Sequence, residues 1–409
     1  MKHATIDISP VVCRFLGLGP EWTIVRSTVD ANLLRIDIYI VHSGKNLVCP
    51  ETGEAGTLYD HREERTWRHR NISGCMCYVH CRVPRVETTS GIKTIEVPWA
   101  SRSSRVTYAF ECIVVEVLKE TKNQTKTAEL LNCSFNQIHR IMHRCVARGM
   151  ARRTLADILH VSIDEKALKR GHVYATVVCD STRGIVLDVG LGRTKKGTIE
   201  LLLLIFAGIS DKVETITADM WRAFRGAVEV VFPKAALIHD RFHLIKYLND
   251  ALNKVRRREV KQHPKELKGS RFALLKNEEN RTESQEEIFQ VIQEANLEVS
   301  VAWRLREDFK AIFNCTSYAE AEKDVNLWID SVEKTGMKEV IKVAKMFKEH
   351  FTGVCNALCH PQSNAQAERM NGKIQEIKSI GRGFRRFENF RVAILFFCGG
   401  LDLYPQISW

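Results

Sequence analysis

A chain of 409 residues has room for two or three domains and a large core, and its 61 Lys and Arg against 49 Asp and Glu leave a net charge of +12. That basic excess favours a polyanionic partner, with nucleic acid the usual one, while the longest apolar run, Leu201 to Ile209, is far too short to span a bilayer. No charged-then-apolar signal stands at Met1, so a cytoplasmic protein is expected, and its 13 scattered cysteines read as reduced core residues.

In chain order, Trp22 to Val25 and the alternating Leu34 to Ile40 predict an antiparallel hairpin around Asp30-Ala31-Asn32. Cys49-Pro50-Glu51-Thr52 resembles half of a zinc knuckle, but Thr52 stands where a second ligand is needed. Cys75, Cys77 and Cys81 fit an alternating strand better than a metal loop, so a small β domain without zinc is expected over residues 1–105. Within residues 106–153, expected to be a DNA-binding domain, Tyr108 to Met150 reads as helical. Thr125 to Leu131 forms a short amphipathic helix, Asn132-Cys133-Ser134 a turn, and Phe135 to Val146 a second helix with Ile138 and Ile141 inward. A small residue at 128, a turn residue at 132 and isoleucines at 138 and 141 give the spacing of a helix-turn-helix. Its second helix would offer Asn136, Gln137, His139, Arg140 and His143 to a DNA groove, and Arg152 and Arg153 of a basic linker would meet phosphates.

From Val161 the pattern changes to strands. Val161 to Ile163 ends in Asp164, and Tyr174 to Cys179 and Gly184 to Val189 form a hairpin. A helical run from Thr198 leads to Val213–Thr217, which ends in Asp219; a further helix leads to Ala235–Ile238, which ends in Asp240 and His243. Carboxylates just past strand ends are where α/β sheets bind ligands, and clustered there they suit hard metal ions. Residues 244–351 are charge-dense and helical, an insertion expected to fold as its own unit. After Pro361, Met370, Ile374 and Ile377 line one helix face. Glu368, Asn371, Gln375 and Lys378 line another. A lone helix Glu means little; it gains weight only beside the strand-end aspartates.

On these strings the sequence resembles bacterial insertion-sequence transposases of the ISL type, members of the DDE group. The matching segments are Ile163-Asp164-Glu165-Lys166, Thr217-Ala218-Asp219-Met220, Asp240-Arg241-Phe242-His243 and Asn364 to Ile374, with Arg65 to His69, Arg82 to Val86, Val97 to Ala100 and Gly399 to Pro405 in family order. The resemblance implies an RNase H-like mixed α/β sheet with an all-α insertion, preceded by the small β domain and the helix-turn-helix. The catalytic domain would comprise 154–243 and 352–409, interrupted by the insertion at 244–351. Asp164, Asp219 and Glu368 would be the DDE triad, Asp240 and His243 an accessory element, and Asn371, Lys373 and Lys378 contacts to DNA. The family's zinc-binding head reads here as Cys49/Thr52 and Glu87/Ser90, so zinc is not expected.

The chemistry implied is cleavage of the ends of an insertion sequence, then joining of the freed 3′ hydroxyl to target DNA. Two Mg²⁺ ions about 3.5–4 Å apart would assist both displacements. Asp164 would bridge them, with Asp219 and Glu368 holding one each. Double-stranded DNA, as element end and as target, and other copies of the chain on that DNA are the expected partners. A DNA-binding regulator without catalysis, an inactive transposase remnant and a metal-dependent nuclease without strand transfer stand as alternatives.

Overall fold

The computed structural model describes residues 9–44, 47–169, 173–276, 278–295, 297–313, 315–360 and 365–406, with residues 9–11, 15, 169, 278 and 365–368 described by their backbone. The chain forms two compact units, residues 1–153 with 401–409, and residues 154–400.

The first unit opens with α1 (Ser9–Leu16) and the predicted hairpin, β1 (Trp22–Asp30) antiparallel to β2 (Arg35–His42). Asp30 Oδ1 accepts the N–H groups of Asn32 and Leu33 at 3.0 Å, which folds the turn locally. Then follow β3 (Leu47–Val48), β4 (Ala55–His61), β5 (Arg65–Ile72), β6 (Cys75–Cys81), β7 (Pro84–Thr88) and β8 (Gly91–Thr94). Among the described residues they make two four-stranded sheets, ordered β1-β2-β6-β5 and β3-β4-β7-β8. Alternation along β2 sends Ile36, Ile38 and Ile40 into a core closed by Trp22, Trp67 and Trp99, whose rings meet edge to face. Burial pushes the thiols of Cys77 and Cys81 up to about 12, so these cysteines are core residues held protonated. The Cys49 thiol is drawn below its ordinary value, first by the Thr52 hydroxyl and then by nearby backbone N–H groups, with the Ser90 hydroxyl adding to them.

Three helices follow, α2 (Tyr108–Thr121), α3 (Gln124–Leu130) and α4 (Phe135–Arg152). The turn between α3 and α4 has Asn132 at φ 49°, the left-handed region that asparagine tolerates. Ser134 then caps α4 in a capping box with Gln137. Helix α4 runs on through the segment expected to be a basic linker, because that part of it is held from two sides. Buried Glu111 of α2 receives Arg144 (3.0 and 2.5 Å) and Arg148 (2.8 Å). On the other side the C-terminal segment returns to α4: Arg148 donates to the Leu403 carbonyl at 3.0 Å and Arg152 to Asp402 at 2.9 Å and the Tyr404 carbonyl at 2.7 Å. Gly149 makes this approach feasible, since a Cβ there would lie 2.7 Å from that of Leu401.

The second unit is built on a sheet of β9 (His160–Lys169), β10 (Val173–Asp180), β11 (Ile185–Leu191), β12 (Thr215–Ala218) and β13 (Ala236–His239), in the order β11-β10-β9-β12-β13. Strand β10 is antiparallel to both neighbours, whereas β9, β12 and β13 run parallel. The parallel pairs need crossovers, supplied by α5 (Lys195–Phe206) and α6 (Arg222–Val231). Both helices pack on the sheet over Leu202, Phe206, Phe224 and Val228.

The helical segment then runs through α7 (Arg241–Glu259), α8 (Ser270–Leu275), α9 (Glu283–Glu294), α10 (Glu298–Ala311), α11 (Tyr318–Lys334), α12 (Lys338–Glu349) and α13 (Phe351–Cys359). It is all-helical as expected, but it is not a separate body. Its core, with Phe309, Trp328 and Phe347, is continuous with Met220 and Ile238 of the sheet region, and α13 lies along β13. Asn356 of α13 donates to the Leu237 carbonyl at 2.8 Å, and Arg241 ties the start of α7 to the carbonyls of Ala357, Leu358 and His360. Finally α14 (Ala365–Ile380) and α15 (Phe387–Cys398) return to the sheet, α15 against β11. There Arg391 reaches buried Asp188 through two hydrogen bonds, at 2.6 and 2.8 Å.

Candidate active site and nucleic-acid interface

The sheet register builds the candidate active site. Ile163 pairs with Ala218, and Ala218 with His239, across three parallel strands. The next residue on each is Asp164, Asp219 and Asp240, so three carboxylates stand side by side, with strands roughly 4.8 Å apart; Asp219 and Asp240 follow the last residues of β12 and β13, whereas Asp164, expected at a strand end, lies within β9, which runs on to Lys169 beside β10. Alternation does the rest: Ile163 and Ala218 are buried below, which turns the following aspartates to the other face.

Each carboxylate has different company. Asp164 Oδ2 meets the Lys166 ammonium at 2.9 Å and accepts from the Asn371 amide of α14 at 2.8 Å. Asp219 accepts the N–H of Met220 at 2.6 Å and lies 3.5 Å from the Tyr247 hydroxyl. Burial raises the Asp219 carboxyl above its usual value; His243 and the Met220 N–H oppose that, and the charges of Asp164 and Glu165 add to it. Asp240 caps α7, accepting from Phe242 N at 2.9 Å, and receives His243 Nδ1 at 2.9 Å. The other nitrogen of His243, Nε2, faces Asp219 Oδ2 at 3.9 Å. Burial pulls the His243 imidazole down, yet the Asp240 bond and the charges of Asp219, Asp240 and Asp164 together raise it. Glu165 points elsewhere, paired with Arg193 at 2.6 Å. Asp180 lies at the opposite end of β9, opposite Val161, where it holds the β10–β11 turn.

The side chain of Glu368 lies outside the described residues. Its backbone belongs to α14, one turn before Asn371 on the same helix face. That helix buries Met370, Ile374 and Ile377, as its periodicity predicts. Two members of its polar stripe lie against β9 rather than extending away from it: Asn371 reaches Asp164, and the Lys378 amine donates to the Ala167 carbonyl at 2.6 Å, while Gln375 is exposed. Lys373 is exposed. Two residues beside the acids were not singled out from sequence, although a signal existed for each. Lys166 is two positions from Asp164 and so shares its strand face, and Tyr247 is four positions from His243 and so shares its helix face.

The donors in this row are hard oxygens, and the rise at Asp219 comes first from burial, with the charges of Asp164 and Glu165 adding to it. The Lys166 ammonium is the positive charge standing at Asp164. The residues therefore fit a divalent metal. Among the described residues, the group of three acid, cysteine or histidine ligand atoms lying within 4.8 Å of one another is a different one, Cys315, Glu320 and Asp324 of the helical segment. There Glu320 is engaged at a helix start, accepting from the N–H and hydroxyl of Thr316 at 2.7 Å.

On the helix-turn-helix, Asn136 and Arg140 of α4 are exposed, one helical turn apart, next to exposed Phe135. The other candidates are partly engaged. Gln137 Oε1 accepts the Ser134 N–H at 3.0 Å in the capping box. His139 lies between Phe135 and His143 and meets Gln124 of α3 at 3.2 Å; burial, then His143, lower its imidazole. Arg152 is held by the C-terminal segment, and Arg153 is half-buried as the C-cap of α4.

Residues 161–394, more than half of the chain, match a family described as transposase, of the DDE type and the ISL3 group. Residues 95–146 match the helix-turn-helix domain of transposase family ISL3. The chain belongs to this family of transposases. It is similar to the transposase for insertion sequence element IS1001 of Bordetella parapertussis, 24% identical over 370 residues, or 88% of this chain and 90% of the relative. It is also similar to the transposase for insertion sequence element IS1557 of Mycobacterium tuberculosis, 26% identical over 398 residues, 88% of this chain and 89% of that protein. The chain is thus a DNA-processing enzyme with a DNA-binding helix-turn-helix. No helix among the described residues is long and apolar enough to cross a membrane.

Proposed function

We propose that this transposase cuts the ends of an insertion sequence and joins the freed 3′ hydroxyl to target DNA, using an RNase H-like domain in which Asp164, Asp219 and Glu368 hold divalent metal. The observation that carries the reading is the Asn371–Asp164 hydrogen bond at 2.8 Å. It ties α14 to Asp164 in the row of sheet aspartates, and position 368 lies one turn away on the bonded face. The order β11-β10-β9-β12-β13 with only β10 reversed among the described pairs supports the RNase H-like assignment.

When bound, Mg²⁺ ions would polarise the reacting phosphate and lower the pKa of the attacking oxygen. The chain's own residues prepare the site. Lys166 and Asn371 orient the Asp164 carboxylate, and His243, held by Asp240, offers positive charge to Asp219. Asp240 is the weaker candidate for the third acid, because its two oxygens already serve the α7 cap and His243. End recognition would come from α4 through Asn136 and Arg140, and transfer would require a pair of ends and more than one copy of the chain.

The test is single-turnover cleavage of a duplex carrying the element end, with Mg²⁺ or Mn²⁺. Asp164→Asn, Asp219→Asn and Glu368→Gln should each lose cleavage while still binding the duplex. Loss of such a ligand is worth several kcal/mol, a factor of a hundred or more. Asp240→Asn should retain measurable cleavage. Full cleavage by Glu368→Gln with none by Asp240→Asn would move the third role to Asp240.

A further inference from the structure

In the helical segment, Cys315, Glu320 and Asp324 bring three ligand atoms within 4.8 Å of one another. Their chain positions explain the meeting. Cys315 lies between α10 and α11, and the Ser317 hydroxyl caps α11 by accepting the Glu320 N–H at 3.2 Å. Glu320 and Asp324 are then four residues apart on one face of that helix. A further donor arrives from another helix. The thiol of Cys359, in the last turn of α13, donates to the carbonyl of Ser317 at 3.2 Å, between Cys315 and Glu320 in the chain.

Capping accounts for only part of this cluster. Thr316 gives its N–H and its hydroxyl to one oxygen of Glu320, Oε2, each at 2.7 Å, and a carboxylate has lone pairs beyond those two. Asp324 serves no cap and no ion pair among the described residues, and at four residues from Glu320 like charges repel. Cys315 is 8% exposed, and its thiol proton goes to the Ile312 carbonyl at 3.0 Å. Burial, then the charges of Glu320 and Asp324, then Cys359, raise the Cys315 thiol above its ordinary value. Burial and then Glu320 raise the Cys359 thiol against the pull of Arg241. A cation seated among the four would relieve these repulsions together.

We infer that Cys315, Glu320, Asp324 and Cys359 form a zinc site, apart from the sheet aspartates and from the N-terminal head with its Cys49. Two thiolates and two carboxylates suit Zn²⁺, which takes sulfur and oxygen in fours, whereas Mg²⁺ takes oxygen in sixes. Reach agrees. With Zn–S about 2.3 Å and Zn–O about 2.0–2.2 Å, ligand atoms of a tetrahedron lie roughly 3.4–3.8 Å apart. Atoms now spread over 4.8 Å would need to close by about 1 Å, a change of side-chain rotation. Binding would release the proton of each thiol. The ion would clamp the α10–α11 connection to the end of α13, which Arg241 already holds through the carbonyls of Ala357, Leu358 and His360. It would thus steady the chain nine residues before Glu368 (368 − 359), although the site itself does not depend on the carboxylate assignment.

The experiment uses the full chain, reduced and stripped of metal by a chelator, then titrated with Co²⁺ as a coloured stand-in for Zn²⁺. Excess Mg²⁺ covers the sheet aspartates. A near-ultraviolet thiolate–cobalt band and the visible absorption of tetrahedral cobalt should saturate at one ion per chain and be displaced by Zn²⁺. Groups that only orient a metal ligand are worth about 10–100-fold in affinity, so Cys315→Ser and Asp324→Asn should each weaken binding by at least about a hundredfold. Cys359→Ser should leave about half of the thiolate band per bound ion. Asp324 is half-buried and outside the cap, so Asp324→Asn should keep the wild-type circular dichroism. Zn²⁺ should slow amide exchange at residues 315–320 and 355–360 in the wild type and not in Asp324→Asn.

Absence of a thiolate band, or a band kept at full strength by Cys315→Ser or by Cys359→Ser, would overturn the inference. So would a band lost in Cys49→Ser, which would put the metal on the N-terminal head. Asp164→Asn should leave the band unchanged; wild-type cleavage by that variant would sink the carboxylate reading instead, on a different signal.

Discussion

At the scale of single residues, the site is a contest between burial and charge, and Asp219 shows who wins. Its carboxyl is raised by burial although His243 works against that. Metal binding needs the ionised form, so the acid limb of the cleavage rate should lie above the ordinary carboxylate range. Removing the opposing charge with His243→Ala should move that limb to still higher pH, as a pH–rate profile would show; an unmoved limb would separate His243 from Asp219. The same shift has a sign for stability. A folded-state pKa above the unfolded one contributes stability that is full below the unfolded value and lost as pH rises through the folded value. At neutral pH, without metal, the ionised Asp219 is therefore a liability. Asp219→Asn should raise the thermal midpoint at pH 7 and leave it nearly unchanged near pH 3, while abolishing cleavage. Asp219 was legible because a strand end is a local pattern, and the face that Asp164 takes because alternation is; that β9 runs on past Asp164 was not, since it depends on pairing with β10. The His243 bridge from Asp240 to Asp219 was not, since it depends on how α7 leaves β13.

At the scale of elements, α4 illustrates how the second helix of the helix-turn-helix, proposed to read DNA, is held. Ser134→Ala removes one half of the capping box and should cost about 1 kcal/mol by thermal or denaturant unfolding. Glu111→Ala should be far worse, about 3–5 kcal/mol, because it strands the Arg144 and Arg148 guanidiniums against a buried site. Arg140→Ala should leave stability untouched and relax sequence preference at the element end by about 1–3 kcal/mol, measured against random DNA. The turn itself was readable: Asn at a left-handed position and Ser before a helix are one-residue signals. The length of α4 was not, because the last turns owe their order to partners 33 to 255 residues away. Gln137 was read from sequence as a base contact through its polar face; its place three residues after Ser134, which makes it a capping partner, was an equally local clue.

At the scale of the whole chain, the helical segment between α7 and α13 interrupts the second unit in sequence but shares its core. Charge density and helical periodicity gave its class; they carry no information about which apolar face meets β13, and so the expectation of an independent body arose. The end of the chain was likewise assigned by order to the preceding domain, yet residues 401–406 pack on α4. Gly149→Ala would set a Cβ 2.7 Å from that of Leu401 and should destabilise the first unit by about 1–3 kcal/mol. Leu401→Gly, which removes that Cβ, should relieve much of that cost in a double-mutant cycle; full additivity would mean that the two residues do not touch.

The return of the C-terminal segment to α4 also sets a timetable. A ribosome delivers residues 1–153 first, and a continuous domain could finish folding then. Here Arg148 and Arg152 receive their Leu403, Asp402 and Tyr404 partners only after all of residues 154–400 have been made. A polypeptide released early, carrying the reading helix without the cutting unit, would leave that helix short of its last supports. Completion of the helix-turn-helix unit thus certifies that the unit carrying the DDE transposase domain has been synthesised on the same molecule.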